Sequence, residues 1–231
     1  MITRTIEERI NIALAKKKAV TIMGPRQVGK STLAYSIIPK DAKVLEINGD
    51  NTDVQTMFVN VDEAKMKILI GNNNFLFVDE AQKIENVGNM LKIVAEKFKD
   101  VKIIVTGSSA FKLAEAVNES LTGRKREFKL YPLSFKEMAD DTSVLDESRM
   151  IDHRLIYGYY PEVVTSPGDE KEVLKELIDS YLYKDVMEEN NIAKPDKLVK
   201  LVQALAFQIG STVSATELAG LVGIDAKTVE R

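Results

Sequence analysis

The chain has 231 residues, 45% of them hydrophobic and 29% charged, which is enough for one sizeable core and a smaller appendage. Its net charge of −3 provides no general attraction to nucleic acid or to a membrane surface. Cysteine is absent and His153 is the single histidine, which excludes disulfides, thiolate metal sites and any site that needs two imidazoles. Charges interrupt residues 1–19, and no apolar run reaches the roughly 18 residues of a membrane span, so we expect a cytoplasmic protein without a signal peptide or membrane contact.

Strand-like and helix-like segments alternate through the first half of the chain. Short apolar runs typical of β-strands occur at 19–23, 43–47, 75–78, 101–105 and 126–130. Segments with helical character occur at 6–16, 31–38 and 87–99, and a further short helix ends at 68–71. Helical patterns dominate from residue 134 onward. Because strands that alternate with helices form parallel sheets, the pattern predicts an α/β fold with a doubly wound, five-stranded parallel sheet.

The strongest motif is the segment at 24–31, Gly-Pro-Arg-Gln-Val-Gly-Lys-Ser, which fits the phosphate-binding pattern G-x-x-x-x-G-K-[ST] in full. It lies between a predicted strand and a predicted helix, as that pattern requires. Its glycines let backbone amides turn toward phosphate oxygens, Lys30 supplies a positive charge for the β and γ phosphates, and the Ser31 hydroxyl is a hard ligand for Mg²⁺. The predicted nucleotide-binding residues are Gly24, Pro25, Arg26, Gln27, Val28, Gly29, Lys30, Ser31 and Thr32.

Two acidic residues follow the apolar strand at 75–78. Asp79 stands where a P-loop site needs a carboxylate for Mg²⁺, opposite Ser31. Glu80 comes one residue later, where it can orient and deprotonate an attacking water. Small-molecule kinases of this fold generally lack the second acid, so the pair favours hydrolysis over phosphoryl transfer to another substrate. The alternative is two solvated acids at the end of a strand.

Two weaker features accompany these motifs. Ser108 and Ser109 follow the fourth strand, at the edge where open α/β sheets bind ligands, and a hydroxyl there could sense the γ-phosphate or hold the water. The alternative is that one of them caps the next helix. Arg124 precedes the fifth strand and could stabilise the γ-phosphate of a neighbouring subunit in a homo-oligomer, with a basic loop in water as the alternative.

The C-terminal residues 214–231 have a helix-turn-helix pattern. Ser214 and Glu217 form an S-x-x-E capping box, Gly223 permits a sharp turn, and Asp225 can cap a second helix. In an intact protein the second helix could contact DNA. The alternative is a helix pair that packs against protein.

Strand signals fade near residues 132–134, which marks the first predicted domain boundary. We expect a P-loop ATPase core at 1–133, a helical extension at 134–195, and the start of a winged-helix domain at 196–231. The second helix of the last segment would stop after about two turns, so we expect the chain to be truncated at its C-terminus.

Several strings resemble, in order, segments of a family of AAA+-type P-loop ATP-binding proteins of archaea and bacteria. They are GPRQVGKSTL, FLFVDEAQKI, IIVTGSSAFKLA and LTGRKREFKLYPLSFKE, followed by YGYYPEVV and SYLYKDV, and the similarity spans most of residues 4–190. The resemblance implies an ATPase core with the phosphate, metal and water-activating residues given above, and it makes Ser108 or Ser109 a polar sensor. It also implies a winged helix and a further domain of unknown function, for which this chain is too short.

These features predict an ATP-binding protein that hydrolyses ATP with Mg²⁺ and couples this to a conformational change. The predicted catalytic residues are Glu80, Lys30, Arg124 and Ser108, and the predicted Mg²⁺ ligands are Ser31 and Asp79. The alternative function is an ATP-gated switch with little turnover that binds DNA or a protein partner through the C-terminal helices. The sequence lacks the guanine-reading string N-K-x-D, which favours adenine as the base.

Overall fold

The computed structural model describes residues 1–108, 121–179 and 195–230. Its strands are β1 (Ala19–Met23), β2 (Val44–Asn48), β3 (Phe75–Asp79), β4 (Lys102–Gly107) and β5 (Lys125–Lys129). A short 3-10 helix spans Ala81–Lys83. The α-helices are α1 (Glu7–Ala15), α2 (Lys30–Ile37), α3 (Thr52–Gln55), α4 (Glu63–Ile70), α5 (Val87–Lys97), α6 (Phe135–Asp141), α7 (Val144–Arg149), α8 (Ile151–Tyr157), α9 (Pro161–Thr165), α10 (Glu170–Leu177), α11 (Pro195–Phe207), α12 (Ala215–Val222) and α13 (Ala226–Glu230).

The five strands are all parallel and form one sheet in the order β2-β3-β4-β1-β5, which confirms the predicted five-stranded parallel sheet. The strand β4 extends beyond the predicted run, because Thr106 and Gly107 continue to pair with β1. The carboxyl ends of β1, β3 and β4 therefore lie side by side at one edge of the sheet. Ligands of open α/β sheets bind at that edge.

Helices cover both faces of the sheet because its central strands are apolar on both faces. Every residue of β1 is buried, as are the first four residues of β3. On one face, α1 and α2 pack against the sheet through a cluster that includes Ile10, Leu14, Leu33 and Ile37. On the other face, α4 and α5 contribute Met66, Met90, Leu91 and Val94. This arrangement confirms the prediction of a doubly wound sheet.

The chain divides into two compact units, Met1–Thr165 and Ser166–Arg231. The first contains the sheet and the helices up to α9, and the second contains α10 to α13. In the second unit the Ser214 hydroxyl accepts a hydrogen bond from the Glu217 amide, and Gly223 ends α12 with a φ of 69°. The predicted domain boundaries near residues 133 and 195, and the winged helix, remain predictions.

A buried ion pair joins the N-terminal segment to the first helix after the sheet. Arg4 and Glu137 are 8% and 4% exposed, and Arg4 Nε lies 3.2 Å from Glu137 Oε1. The Arg4 guanidinium also donates to the Val28 carbonyl at 3.0 Å and to the Tyr131 carbonyl at 2.6 Å. One arginine therefore connects the 24–31 loop, the end of β5 and α6.

The Glu137 carboxylate is held by backbone amides as well as by the arginine. It accepts hydrogen bonds from the amides of Thr5 at 2.8 Å and Ser134 at 2.9 Å, and Ser134 completes a capping box at the start of α6. Burial opposes the charge on Glu137, but these amide bonds and the Arg4 charge outweigh it and hold the pKa of Glu137 below its ordinary value of 4.5. The ionised carboxylate therefore stabilises the fold.

We predict that Glu137→Gln lowers the free energy of unfolding at pH 7 by about 3 kcal/mol, because it leaves the Arg4 charge buried without its partner. Since the pKa of Glu137 is lower in the folded chain, the wild-type advantage is full above its ordinary value of 4.5 and is lost as the pH falls through the folded value. Urea unfolding of both variants across this pH range measures the difference. The exposed control Glu8→Gln should follow wild type, and an equal loss for Glu137→Gln at every pH would contradict the prediction.

Candidate functional site

The loop at 24–31 connects β1 to α2 and depends on both of its glycines. A Cβ on Gly24 would lie 2.2 Å from the Leu130 carbonyl oxygen, so no larger residue fits there without a backbone shift. Gly29 has a φ of 93° and stands immediately before α2, a conformation that side chains disfavour. The positive end of α2 therefore opens into the loop.

Lys30 folds back across this loop. Its side chain is 4% exposed, and its ammonium group donates to the carbonyls of Gly24 at 3.1 Å and Pro25 at 2.8 Å. The same nitrogen lies 3.9 Å from Glu80 Oε1. A positive charge at a helix N-terminus, beside a loop shaped by glycine, is an arrangement that can bind an anion.

Asp79 lies directly opposite Ser31, as the sequence predicts. The Ser31 hydroxyl is 3.0 Å from Asp79 Oδ1 and 2.8 Å from Oδ2. Thr106, at the end of β4, donates a short hydrogen bond to Oδ1, and its hydroxyl accepts from the Glu80 amide at 3.3 Å. A hydroxyl and a carboxylate in contact are hard oxygen donors of the kind that Mg²⁺ prefers.

Glu80 has a left-handed backbone, with a φ of 47° and a ψ of 45°. Its main chain passes close to Gly49 at the end of β2, where a Cβ would lie 2.3 Å from the Glu80 carbonyl oxygen. The Gly49 amide also donates to the Asp79 carbonyl at 2.9 Å. Gly49 is not among the predicted site residues, although a glycine just after a predicted strand is a signal of close backbone approach.

Ser108 and Gln82 both form hydrogen bonds with the Glu80 carboxylate. Gln82 Nε2 donates to Glu80 Oε2 at 2.5 Å and to Ser108 Oγ at 2.9 Å, and the Ser108 hydroxyl donates to the same carboxylate oxygen at 3.2 Å. The predicted alternative, Ser109, lies outside the described residues. Gln82 was not among the predicted site residues.

A cleft with a volume of about 610 Å³ opens beside Lys30, Ser31 and Glu80. The predicted residues that line it are Arg26, Gln27, Gly29, Lys30, Ser31, Thr32 and Glu80. Helix α9 lines the same cleft with Pro161, Glu162 and Thr165, none of which is among the predicted site residues. Val28 contributes no side chain here, because it is fully buried in the core cluster that contains α1 and α2.

Arg124 lies elsewhere. It precedes β5, whose first residue Lys125 pairs with Ala19 at the start of β1. Arg124 is therefore at the amino-terminal edge of the sheet, opposite the phosphate-binding loop, where it forms an exposed ion pair with Glu96 at 2.7 Å. The structure does not bring Arg124 to the site of its own chain.

The AAA domain family (AAA_14) matches residues 16–139, which is more than half of the 231-residue chain. The chain belongs to the AAA domain family. The matched range of this AAA domain includes the phosphate-binding loop, Asp79 and Glu80. A domain of unknown function (DUF8612) matches residues 148–231.

Two curated relatives are similar over much of this AAA-family chain. An uncharacterized protein of Methanocaldococcus jannaschii is 26% identical over 95% of this chain and 53% of its own length. An uncharacterized protein of Haemophilus influenzae is 29% identical over 62% of this chain and 37% of its own length. The chain thus spans about half or less of the length of these relatives.

Among solved structures, a Walker-type ATPase of Pyrococcus abyssi has a similar fold. The two superpose with a TM-score of 0.58 over 96% of this chain and 88% of the other, at 14% sequence identity. At this identity the similarity establishes the α/β fold. Among the residues described, none of the helices has the length and apolar character needed to cross a bilayer.

We predict that Gly49→Ala destabilises the AAA core by about 1–3 kcal/mol, because the new methyl group must displace the backbone of Glu80. Urea unfolding measures the loss. The matched control is Gly220→Ala in α12, where a Cβ meets nothing within 4 Å and the helix should gain up to about 1 kcal/mol. Wild-type stability in Gly49→Ala would show that the two strand ends are not packed as closely as described.

Proposed function

We propose that this chain binds ATP with Mg²⁺ and hydrolyses it at the carboxyl edge of the sheet. The observation that supports this most strongly is that Lys30, Ser31 and Glu80 line one cleft, while Asp79 is hydrogen-bonded to Ser31. Membership of the AAA domain family supports nucleotide binding at the same place.

The phosphate groups would lie in the loop at 24–31. Its amides and the N-terminus of α2 would bind the phosphate oxygens, and Lys30 would exchange its contacts with the loop carbonyls for the β and γ phosphates. Ser31 and Asp79 would hold the metal ion. Bound Mg²⁺ neutralises the charge that develops on the β and γ phosphate oxygens.

Glu80 is the proposed general base. Its side chain is 15% exposed and lines the cleft, so it can contact a water molecule there. Its Oε1 lies 3.9 Å from Lys30 Nζ, so it would lie near the phosphate group that Lys30 binds. A carboxylate at this position favours water over a second substrate as the acceptor.

A second, mostly apolar cavity of about 510 Å³ adjoins the loop and is the proposed site of the base. It shares Gly29 and Thr32 with the phosphate cleft, and its apolar lining includes Ile2, Leu33 and Val164. A planar purine suits such a cavity.

The Arg4 contacts provide a route from the nucleotide to the helices after the sheet. The guanidinium binds the Val28 carbonyl of the loop and the Glu137 carboxylate of α6. A change in the loop on nucleotide binding would therefore bias the position of α6. This supports a function in which ATP binding and hydrolysis drive a conformational change.

The ATP-gated switch with little turnover is the second candidate. It is favoured by the compact second unit, whose helix pair α12–α13 has the Ser214 cap and the Gly223 turn of a helix-turn-helix. The partner would be DNA or a protein. If ATP leaves the affinity of the full chain for DNA and for candidate protein partners unaltered, this proposal fails.

Arg124 would act only between chains. Its place at the far edge of the sheet leaves a second copy's phosphate cleft as its proposed target, which requires a homo-oligomer. A mixture of Arg124→Ala and Lys30→Ala chains should then recover hydrolysis that neither has alone. Failure to recover it in a confirmed oligomer removes Arg124 from catalysis.

The direct test of hydrolysis is Glu80→Gln in single-turnover assays. We expect the rate to fall by about 10²–10⁴-fold, because the water loses its base, while the affinity for ATP changes little. Glu85→Gln, an exposed acid nearby in sequence, is the matched control and should hydrolyse at the wild-type rate. An unchanged rate in Glu80→Gln would remove Glu80 from the role proposed here.

A further inference from the structure

The two carboxylate oxygens of Glu80 have different neighbours. Oε2 accepts from Gln82 Nε2 at 2.5 Å and from the Ser108 hydroxyl at 3.2 Å. Gln82 Nε2 also donates to Ser108 Oγ at 2.9 Å, so the three side chains form a closed ring of hydrogen bonds. Oε1 takes no part in this ring and lies 3.9 Å from Lys30 Nζ, on the side of the phosphate-binding loop.

Hydrogen bonds fix the backbone of Glu80, so only its side-chain torsions remain to be set by other contacts. The Glu80 amide donates to the Thr106 hydroxyl, and the Glu80 carbonyl accepts from the Lys83 amide at 3.0 Å. Gly49 packs against the same carbonyl. The 3-10 turn at Ala81–Lys83 then brings Gln82 back alongside the carboxylate.

The orientation of the Gln82 amide is set by these two partners. Its other polar atom, Oε1, is buried without a hydrogen-bond partner among the residues described. Reversing the amide would place that oxygen against the Glu80 carboxylate and would lose both donated hydrogen bonds. Burying an unpaired carbonyl is unfavourable, so the ring with Glu80 and Ser108 must compensate for it.

We propose that Gln82 is the positioning residue for Glu80 in ATP hydrolysis. Together with Ser108 it holds Oε2, so that Oε1 faces the cleft and accepts the proton of the attacking water. The water oxygen bonds to the γ-phosphorus, the bond from that phosphorus to the bridging oxygen breaks, and its electron pair leaves with ADP. Gln82 is uncharged and acts through Glu80, and the inference rests on the hydrolysis proposed above.

The test is Gln82→Met in the full chain, which keeps the length and burial of the side chain and removes both donors. We expect kcat to fall roughly tenfold or more, while KM and the Kd for a fluorescent ATP analogue stay within about twofold of wild type. Ser108→Ala, which removes one donor to the same oxygen, should show a smaller fall in kcat. Glu85→Gln is the matched control.

A merely structural role for Gln82 is distinguished in a Glu80→Gln background. If Gln82 acts through Glu80, adding Gln82→Met there should change the single-turnover rate by less than about twofold. An equal further loss in that background, a change in Kd without a change in kcat, or a wild-type kcat in Gln82→Met each overturns the inference while hydrolysis stands. Absence of hydrolysis in the wild-type chain with intact ATP binding overturns the proposed function and this inference with it.

Discussion

The candidate site depends on the hydrogen bonds that the Asp79 carboxylate accepts. It accepts hydrogen bonds from Ser31, which follows β1, and from Thr106, at the end of β4, while the Asp79 carbonyl accepts from Gly49, which follows β2. One residue therefore joins the ends of β2, β3 and β4 to the first turn of α2, at the same edge of the sheet. This is possible only because the strands are parallel and β4 lies between β1 and β3. The phosphate-binding loop would otherwise have no fixed relation to the acids that complete it.

The parts of the structure that were predictable are those with a local signal. The apolar runs of β1 and β3 indicate strands buried on both faces, and the G-x-x-x-x-G-K-S string indicates both the loop and its position before a helix. The edge at which Asp79 meets Ser31 follows from parallel strands alone. The sequence places Arg124 in the site of a neighbouring chain. In the structure Arg124 precedes β5, at the edge of the sheet opposite the phosphate-binding loop, so it does not reach the site of its own chain.

The parts that were missed depend on contacts between distant residues or on unusual backbone. Gln82 reaches Glu80 only because Glu80 is left-handed and a 3-10 turn follows it, and no periodicity reveals either feature. Arg4 and Glu137 are separated by 133 positions in sequence, and nothing in the sequence around either residue distinguishes it from an ordinary surface charge. Helix α9 reaches the phosphate cleft through the tertiary packing of the first unit. The AAA domain covers the part of the chain that contains the phosphate-binding loop and both acids, and the chain spans about half or less of the length of its curated relatives.

If Ser31 and Asp79 hold Mg²⁺ beside the triphosphate, then ATP binding depends on the metal, and calorimetric titration of ATP with and without Mg²⁺ measures this dependence. We expect Mg²⁺ to tighten ATP binding to the wild-type chain roughly tenfold or more, and Asp79→Asn to lose most of this enhancement. Asp100→Asn, at the far edge of the sheet, should keep it. Equal affinities with and without Mg²⁺ in the wild-type chain, or an undiminished Mg²⁺ effect in Asp79→Asn, would show that Asp79 does not hold a metal ion beside the nucleotide.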